Sequence, residues 1–313
     1  MNSLGNEGDL RLRRCIRCAI AESMIYSKQQ CCKKSPQEPD YVAGLTINFT
    51  SSLYKILKCF YPKHLFSVTG VFCHQKPFVN VNIKGKLKNS ELGDLLLVYV
   101  DHDNTQSEKM INSLLLQAKI SSCVYHKVSS QEQHQLTLYR YWPKFRYVRR
   151  AGAKNQQIRD VQPKKPHTGA QYLLINTHQQ VVQKQCKGTI YYPEFMKCAL
   201  PNDILYADKG FSAELIDFLR FRTGRIISEY SSNIADEWSK VIWDLLQISK
   251  NVFSKRTRMN LSSFPRVNSE KDKQCPSIFD EFTEENNVEA NVDNENEISL
   301  ILIEHKSGDN ITG

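Results

Sequence analysis

Apolar and polar positions along this chain follow two periods. After Pro39, the residues Tyr41, Val42, Leu45, Phe49, Leu53, Ile56, Leu57 and Phe60 recur at three- and four-residue steps. That spacing predicts an amphipathic helix opened by Asp40 and ended near Pro62. Short apolar runs follow at Leu65 to Cys73, Phe78 to Ile83, Asp94 to Val100 and Leu114 to Ile120, and each reads as a strand. Asp101 to Asn112 between them is polar and turn-like. Gln131 to Trp142 returns to helical spacing and stops at Pro143, and Gln171 to Asn176 is a further apolar strand. The order helix, three or four strands, helix, strand predicts an α/β fold with a mixed central sheet flanked by helices.

Outside that region the pattern weakens. Residues 1–37 read as a basic N-terminal extension in which Arg11 to Tyr26 allows a short helix. Residues 38–180 form the α/β core, and residues 181–259 a mixed, helical C-terminal part packed on it. Within that part, Ser212 to Phe221 predicts one helix. Asn233 to Val252 predicts the strongest helix of the chain, with Ile234, Trp238, Val241, Ile242, Leu245 and Leu246 on one broad face. Residues 260–313 read as an acidic, largely disordered tail, with Glu281 to Glu297 its least structured piece. Ile298 to Ile303 interrupts that tail as an apolar run, expected to dock as an edge strand or to bind a partner.

Charge adds a direction to this layout. The net +9 is uneven: residues 270–313 carry 12 Asp and Glu against 3 Lys and Arg, so the remainder carries net +18. A basic body suggests a polyanionic partner, nucleic acid first. The apolar runs, such as Leu95 to Val100, fall far short of the roughly 20 residues that span a bilayer. Met1 to Arg14 lacks the apolar stretch of a signal peptide. Ten scattered cysteines in a chain of 313 residues fit a reducing, cytoplasmic setting. Cys15-x-x-Cys18 and the adjacent Cys31 and Cys32 are poorly spaced for zinc and read as free thiols. His102, His126, His134 and His167 have no metal-ligand spacing and read as surface or core residues.

The candidate chemistry lies at the ends of two strands. Asp94 opens one apolar run, and Gln117 and Lys119 close the next, preceded by Glu91 on the acid side. Adjacent strands bring those ends together, and residues 117 and 119 point to one face. Mg²⁺ or Mn²⁺ prefers hard oxygen ligands and keeps several waters. Asp94, Glu91, the Gln117 side-chain oxygen and the Ala118 carbonyl are the expected ligands. Lys119 would orient the attacking water or stabilise charge on phosphate. Gln135, on the helix after Lys119, is the helix residue most apt to face this point.

On these residues the chain resembles the PD-(D/E)XK, restriction-endonuclease-like nuclease superfamily, over roughly residues 38–180. Gly93-Asp94 stands for that family's first acid and Gln117-Ala118-Lys119 for its (D/E)xK tripeptide, as a QxK variant. The chain is also similar to an uncharacterised bacterial family that shares the Glu91 to Leu96, Leu114 to Lys119, Gln135 to Tyr139, Gly169 to Leu174 and Trp238 to Leu246 segments. The resemblance implies a metal-dependent DNA endonuclease of a bacterial restriction or defence type, with a homodimer or an operon-encoded protein as partner and no membrane association. Gln117 removes one charge from the metal site, so a non-catalytic nucleic-acid-binding or assembly component stays open beside it. A scaffold that recognises a protein through residues 298–303 is a third reading.

A basic, aromatic stretch follows the candidate site. Arg140, Lys144, Arg146, Arg149, Arg150 and Lys154 are candidate phosphate contacts, interleaved with Tyr139, Tyr141, Trp142, Phe145 and Tyr147. Cations there would neutralise phosphates while aromatic faces stack on unpaired bases. The same pattern also fits aromatics that anchor a long loop beneath solvated cations.

Overall fold

The computed structural model describes residues 1–31, 35–73, 77–83, 85–102, 109–123, 125–149, 154–178, 192–207, 209–231, 233–256, 267–281 and 298–307. Arg150, Cys32, Cys186 and the acidic run 282–297 lie outside the described residues.

The chain opens with α1 (Gly5–Gln30), then α2 (Glu38–Gly44), a π-helical turn at Leu45–Phe49 and α3 (Thr50–Phe60). The strands β1 (Leu65–Val71), β2 (Phe78–Ile83), β3 (Lys86–Glu91), β4 (Leu95–Asp101), β5 (Met110–Ile120) and β6 (Tyr125–Lys127) lead into α4 (Gln133–Tyr141). Next come β7 (Phe145–Arg149), β8 (Ile158–Arg159), β9 (Ala170–Ile175), β10 (Met196–Ala199), β11 (Ile204–Tyr206) and β12 (Lys209–Gly210). The chain then forms α5 (Phe211–Leu219), β13 (Arg225–Ile227), α6 (Glu237–Arg256), β14 (Val267–Lys271) and β15 (Ser299–Lys306).

Nine strands form a central mixed sheet in the order β12-β10-β9-β5-β4-β15-β1-β14, with β13 paired to β5. β4 and β5 are antiparallel, β5 and β9 parallel, and β4 and β15 parallel. Side chains alternate across this sheet. Leu96, Val98, Leu115, Leu300 and Leu302 are buried on one face with Leu138 and Tyr139 of α4 and Trp238 and Leu245 of α6. Leu95, Leu97, Leu114, Leu116, Ile301 and Ile303 are buried on the other with Ile16 of α1, Val42 of α2, Leu53 of α3 and Phe211 of α5. A mixed central sheet flanked by helices is therefore the architecture.

Several elements depart from their expected places, each for a physical reason. The apolar run at 298–303 becomes β15, the strand between β4 and β1, and not an edge. Leu300 to Ile303 are fully buried on alternating faces. Burying four such side chains is worth about 1.5–3 kcal/mol each, which only a covered, central strand collects in full. Residues 267–271 pair with β1, so the segment expected to be a disordered tail contributes two strands. α1 is longer than expected and packs on the core, burying Leu12, Ile16, Ala19, Ile20 and Met24 on one side. Asp40 accepts the Gln37 backbone N–H at 2.7 Å from within the first turn, so Gln37 is the N-cap and Asp40 closes the capping box. The second strand-like piece, 78–83, leaves the central sheet altogether. It joins a separate four-stranded antiparallel sheet, β3-β2-β7-β8.

One close approach seats the helical layer. A Cβ at Gly70 of β1 would lie 1.7 Å from the Thr46 carbonyl oxygen, so only glycine lets β1 run beneath the π-helical turn. That turn frees a carbonyl of Ile47, which Asn268 Nδ2 satisfies at 2.8 Å.

Candidate active site

The end of β4 that carries Asp94 meets the end of β5 that carries Gln117, Ala118 and Lys119. The antiparallel ladder reaches Leu95 opposite Leu116, and the Asp94 N–H donates to the Leu116 carbonyl at 2.8 Å. Asp94 then continues the ladder with its side chain. Its Oδ2 accepts the Ala118 N–H at 2.7 Å and a short hydrogen bond from Gln117 Nε2. The carboxylate is 3 % exposed, so those bonds replace water that burial has removed. N–H and C=O of one strand residue leave the same edge, so the Ala118 carbonyl also leaves toward the end of β4. Gly93 makes this geometry accessible: a Cβ there would stand 2.6 Å from Leu115 Cδ1 and 3.0 Å from the Tyr139 hydroxyl.

Gln117 and Lys119 share the face that α4 covers. Lys119 Nζ stands 3.3 Å from Glu132 Oε1, and the same carboxylate lies 3.2 Å from His126 Nε2. Glu132, immediately before α4, also accepts the Ser129 N–H at 2.8 Å. Burial pushes its pKa up, but the Ser129 hydrogen bonds, the Lys119 charge and His126 outweigh that and bring it down to about 2. Glu132 is therefore charged across the physiological range and holds Lys119 in place. His134 lies on the same helix, its pKa lowered by burial and then by the Lys119 charge. Nothing in the spacing of Glu132, His126 or His134 marks them, because their link to Lys119 runs through the fold.

Glu91 reaches toward α4, where its Oε2 accepts from Gln135 Nε2 at 3.4 Å. Tyr139 feels both acids: burial first, then Asp94 and later Glu91, raise its pKa well above the phenol range. Its hydroxyl donates to the Leu92 carbonyl at 3.0 Å. Tyr172, opposite Gln117 in the β5–β9 register, is raised by burial and then by Glu132 and Asp94. Among the described residues, three buried polar atoms around these acids have no hydrogen-bond partner: Gln117 Oε1, Gln135 Oε1 and the Tyr172 hydroxyl. Unpartnered buried oxygens are costly and ask for a ligand or solvent.

Does this donor set suit a divalent cation? Among the described residues no three His, Cys, Asp or Glu side chains come together as a metal site. Mg²⁺ needs fewer protein ligands, taking one or two carboxylates and keeping its waters. Asp94, Gln117 Oε1 and the Ala118 carbonyl fit a weakly held, mostly water-ligated ion. Cys15 and Cys18 are free thiols, and the Cys31 thiol donates to Asp40 Oδ2 at 3.7 Å.

The basic stretch divides in two. Arg140 forks onto Asp203 with two contacts of 3.0 Å, and Lys154 lies 3.2 Å from the buried Asp244 beside Arg159 at 2.7 Å. Lys154 is balanced against a buried acid, whereas Arg140 is paired at the surface with an exposed one. Lys144, Arg146 and Arg149 are exposed. Of the interleaved aromatics, Tyr139, Trp142, Phe145 and Tyr147 are core residues, and only Tyr141, 52 % exposed, faces solvent. His167 is half-buried, stacked on Trp142 and edge-on to Trp238.

No protein-family model matches the chain, and no curated protein or solved structure matches it either.

Proposed function

We propose that this chain is a metal-dependent phosphodiesterase, a DNA endonuclease with a restriction-endonuclease-like core, serving a bacterial restriction or defence role in the cytoplasm. One observation carries the reading: Asp94 and the Gln117-Ala118-Lys119 tripeptide converge at one sheet end, with Gln117 bonded to the carboxylate. The sheet supports it: β5 runs antiparallel to β4 and parallel to β9, with β6, α4, β7 and β8 between β5 and β9 in the chain, so the Asp94 and Lys119 ends lie at one edge. Asp94, the Gln117 oxygen and the Ala118 carbonyl would hold Mg²⁺ or Mn²⁺, with Glu91 nearby on the acid side. The bound ion supplies Lewis-acid activation of water and charge stabilisation at phosphate. Lys119, steadied by Glu132, offers its ammonium to the charge that develops on the phosphate oxygens. The defence role rests on the resemblance alone.

A second reading, a nucleic-acid-binding component without cleavage, is favoured by two contacts. Gln117 gives the site an amide where a charge would bind metal, and Lys119 is already neutralised by Glu132. Cleavage of modified and unmodified plasmid DNA with Mg²⁺ or Mn²⁺ separates the two. The enzyme reading expects metal-dependent nicking that falls about 100-fold or more in Lys119→Ala and in Asp94→Asn. A wild type that cuts nothing, joined by an equally inert Gln117→Glu variant, leaves the binding component as the better account.

A further inference from the structure

The four-stranded sheet β3-β2-β7-β8 buries one face and leaves the other open. Val79, Val81, Phe145 and Tyr147 are buried beneath it. On the opposite side the register lines up one residue from each strand: Asn89 opposite Asn80, Asn80 opposite Arg146, and Arg146 opposite Ile158. Asn89, Arg146 and Ile158 of this row are exposed. In the neighbouring row the Arg149 guanidinium lies over the Phe78 ring, 4.1 Å from its centroid. At the far end Leu87, 68 % exposed, stands opposite the exposed Asn82.

We infer that this open sheet face is a docking platform for an unpaired nucleic-acid strand. The inference rests on the nuclease reading of the Asp94 site and names the form of substrate that reaches it. Charge favours a polyanion: Arg146 and Arg149 are exposed on this face and Glu91, opposite Phe78, is its single acid, while Lys86 and Lys88, opposite Ile83 and Val81, belong to the other face. Chemistry selects bases over phosphates alone. The exposed carboxamides of Asn82 and Asn89 suit base edges, and the Arg149 guanidinium over the Phe78 ring offers a cationic surface for stacking. Size selects a single strand. Four strands span three spacings of about 4.8 Å, roughly 14 Å, which is wider than the roughly 12 Å major groove that a duplex offers. A flat sheet of this width meets bases only when they are splayed out. Position ties the platform to the site, because β3 runs from Lys86 and Leu87 to Glu91, three residues before Asp94.

Fluorescence anisotropy of the full chain in EDTA tests this apart from cleavage. The probes are a labelled mixed-sequence DNA strand and its duplex, and the protein is wild type, Arg146→Glu/Arg149→Glu or Asn89→Ala. The strand should bind about tenfold or more tighter than the duplex. The double substitution should weaken it about tenfold and lower the salt slope by about 1.4, at about 0.7 per lost phosphate contact. Asn89→Ala should weaken it by a smaller factor. Equal affinity for the duplex, no binding of either probe, or a double variant that binds like wild type would each overturn the platform. A dimer that the double variant abolishes, without oligonucleotide binding, assigns the face to a second copy and overturns it too. Strand binding that depends on the two arginines, with no metal-dependent cutting, sinks the nuclease reading and keeps the platform. Cutting that persists in the double variant with unchanged binding does the reverse.

Discussion

The two ends of β4 carry similar residues and treat them differently. At the Asp101 end a polar chain is closed: His305 Nδ1 lies 3.1 Å from Asp101 Oδ1, and His305 Nε2 lies 2.7 Å from His64 Nδ1. Beside it Glu304 Oε1 accepts the Ile278 N–H at 2.5 Å, while among the described residues His102 Nε2, 3.9 Å from Glu304, lacks a hydrogen bond. At the Asp94 end Gln117 Oε1, Gln135 Oε1 and the Tyr172 hydroxyl all lack partners. A buried polar network that is satisfied contributes to a unique fold, while one left partly unsatisfied contributes strain unless something binds. The difference separates a closed end from one that leaves buried oxygens without partners on the same strand.

The largest test of that contrast is pH. Burial raises Glu304 from the ordinary carboxylate value of 4.5 to about 7, so the folded chain keeps its proton where the unfolded chain has lost it. Stability should therefore fall as pH rises from about 4.5 to 7 and level off above, by up to about 3 kcal/mol. His102, lowered to about 4 mainly by burial, runs the other way and loses stability as pH falls from 6.5 toward 4. Urea midpoints at pH 5 and pH 8 read the balance, and Glu304→Gln should remove the alkaline loss. A variant that keeps the full loss means another group is responsible.

Next in size, Asp101→Ala should cost about 1–3 kcal/mol by leaving His305 without its acceptor, with no loss of nucleic-acid cleavage. An equal fall in activity at unchanged stability would erase the distinction between the ends. The smallest expected effect is Gln135→Leu. It deletes an unpartnered buried oxygen and one long hydrogen bond, so thermal stability should change by no more than about 1 kcal/mol. Any cleavage activity should drop far more than that, and a clear destabilisation with full activity would make Gln135 a structural residue.

The cations repeat the contrast in a form that sequence reading blurs. Arg140, Lys154 and Arg146 look alike along the chain, yet the first two answer Asp203 and Asp244 while Arg146 lies exposed on a strand face. The aromatics of the same stretch could be read as stacking platforms only because burial is invisible in composition. Trp142 is one of the largest fully buried side chains of the protein.

By itself the sequence determined what local periodicity and strand ends determine. The helix after Pro39, the strands of Asp94 and Gln117, and the helix from Glu237 were legible because each buries a stripe written within about a dozen neighbouring residues. So was the same-face placement of Gln117 and Lys119, which follows from a period of two. Only the tertiary structure decided that β15, about 200 positions away from β4, closes the middle of the sheet. It also decided that Glu132 and His126 surround Lys119, and that 78–83 belongs to a second sheet. Those choices depend on pairing energies between segments that share no local pattern, and the loops between them leave the partners open until the core is assembled.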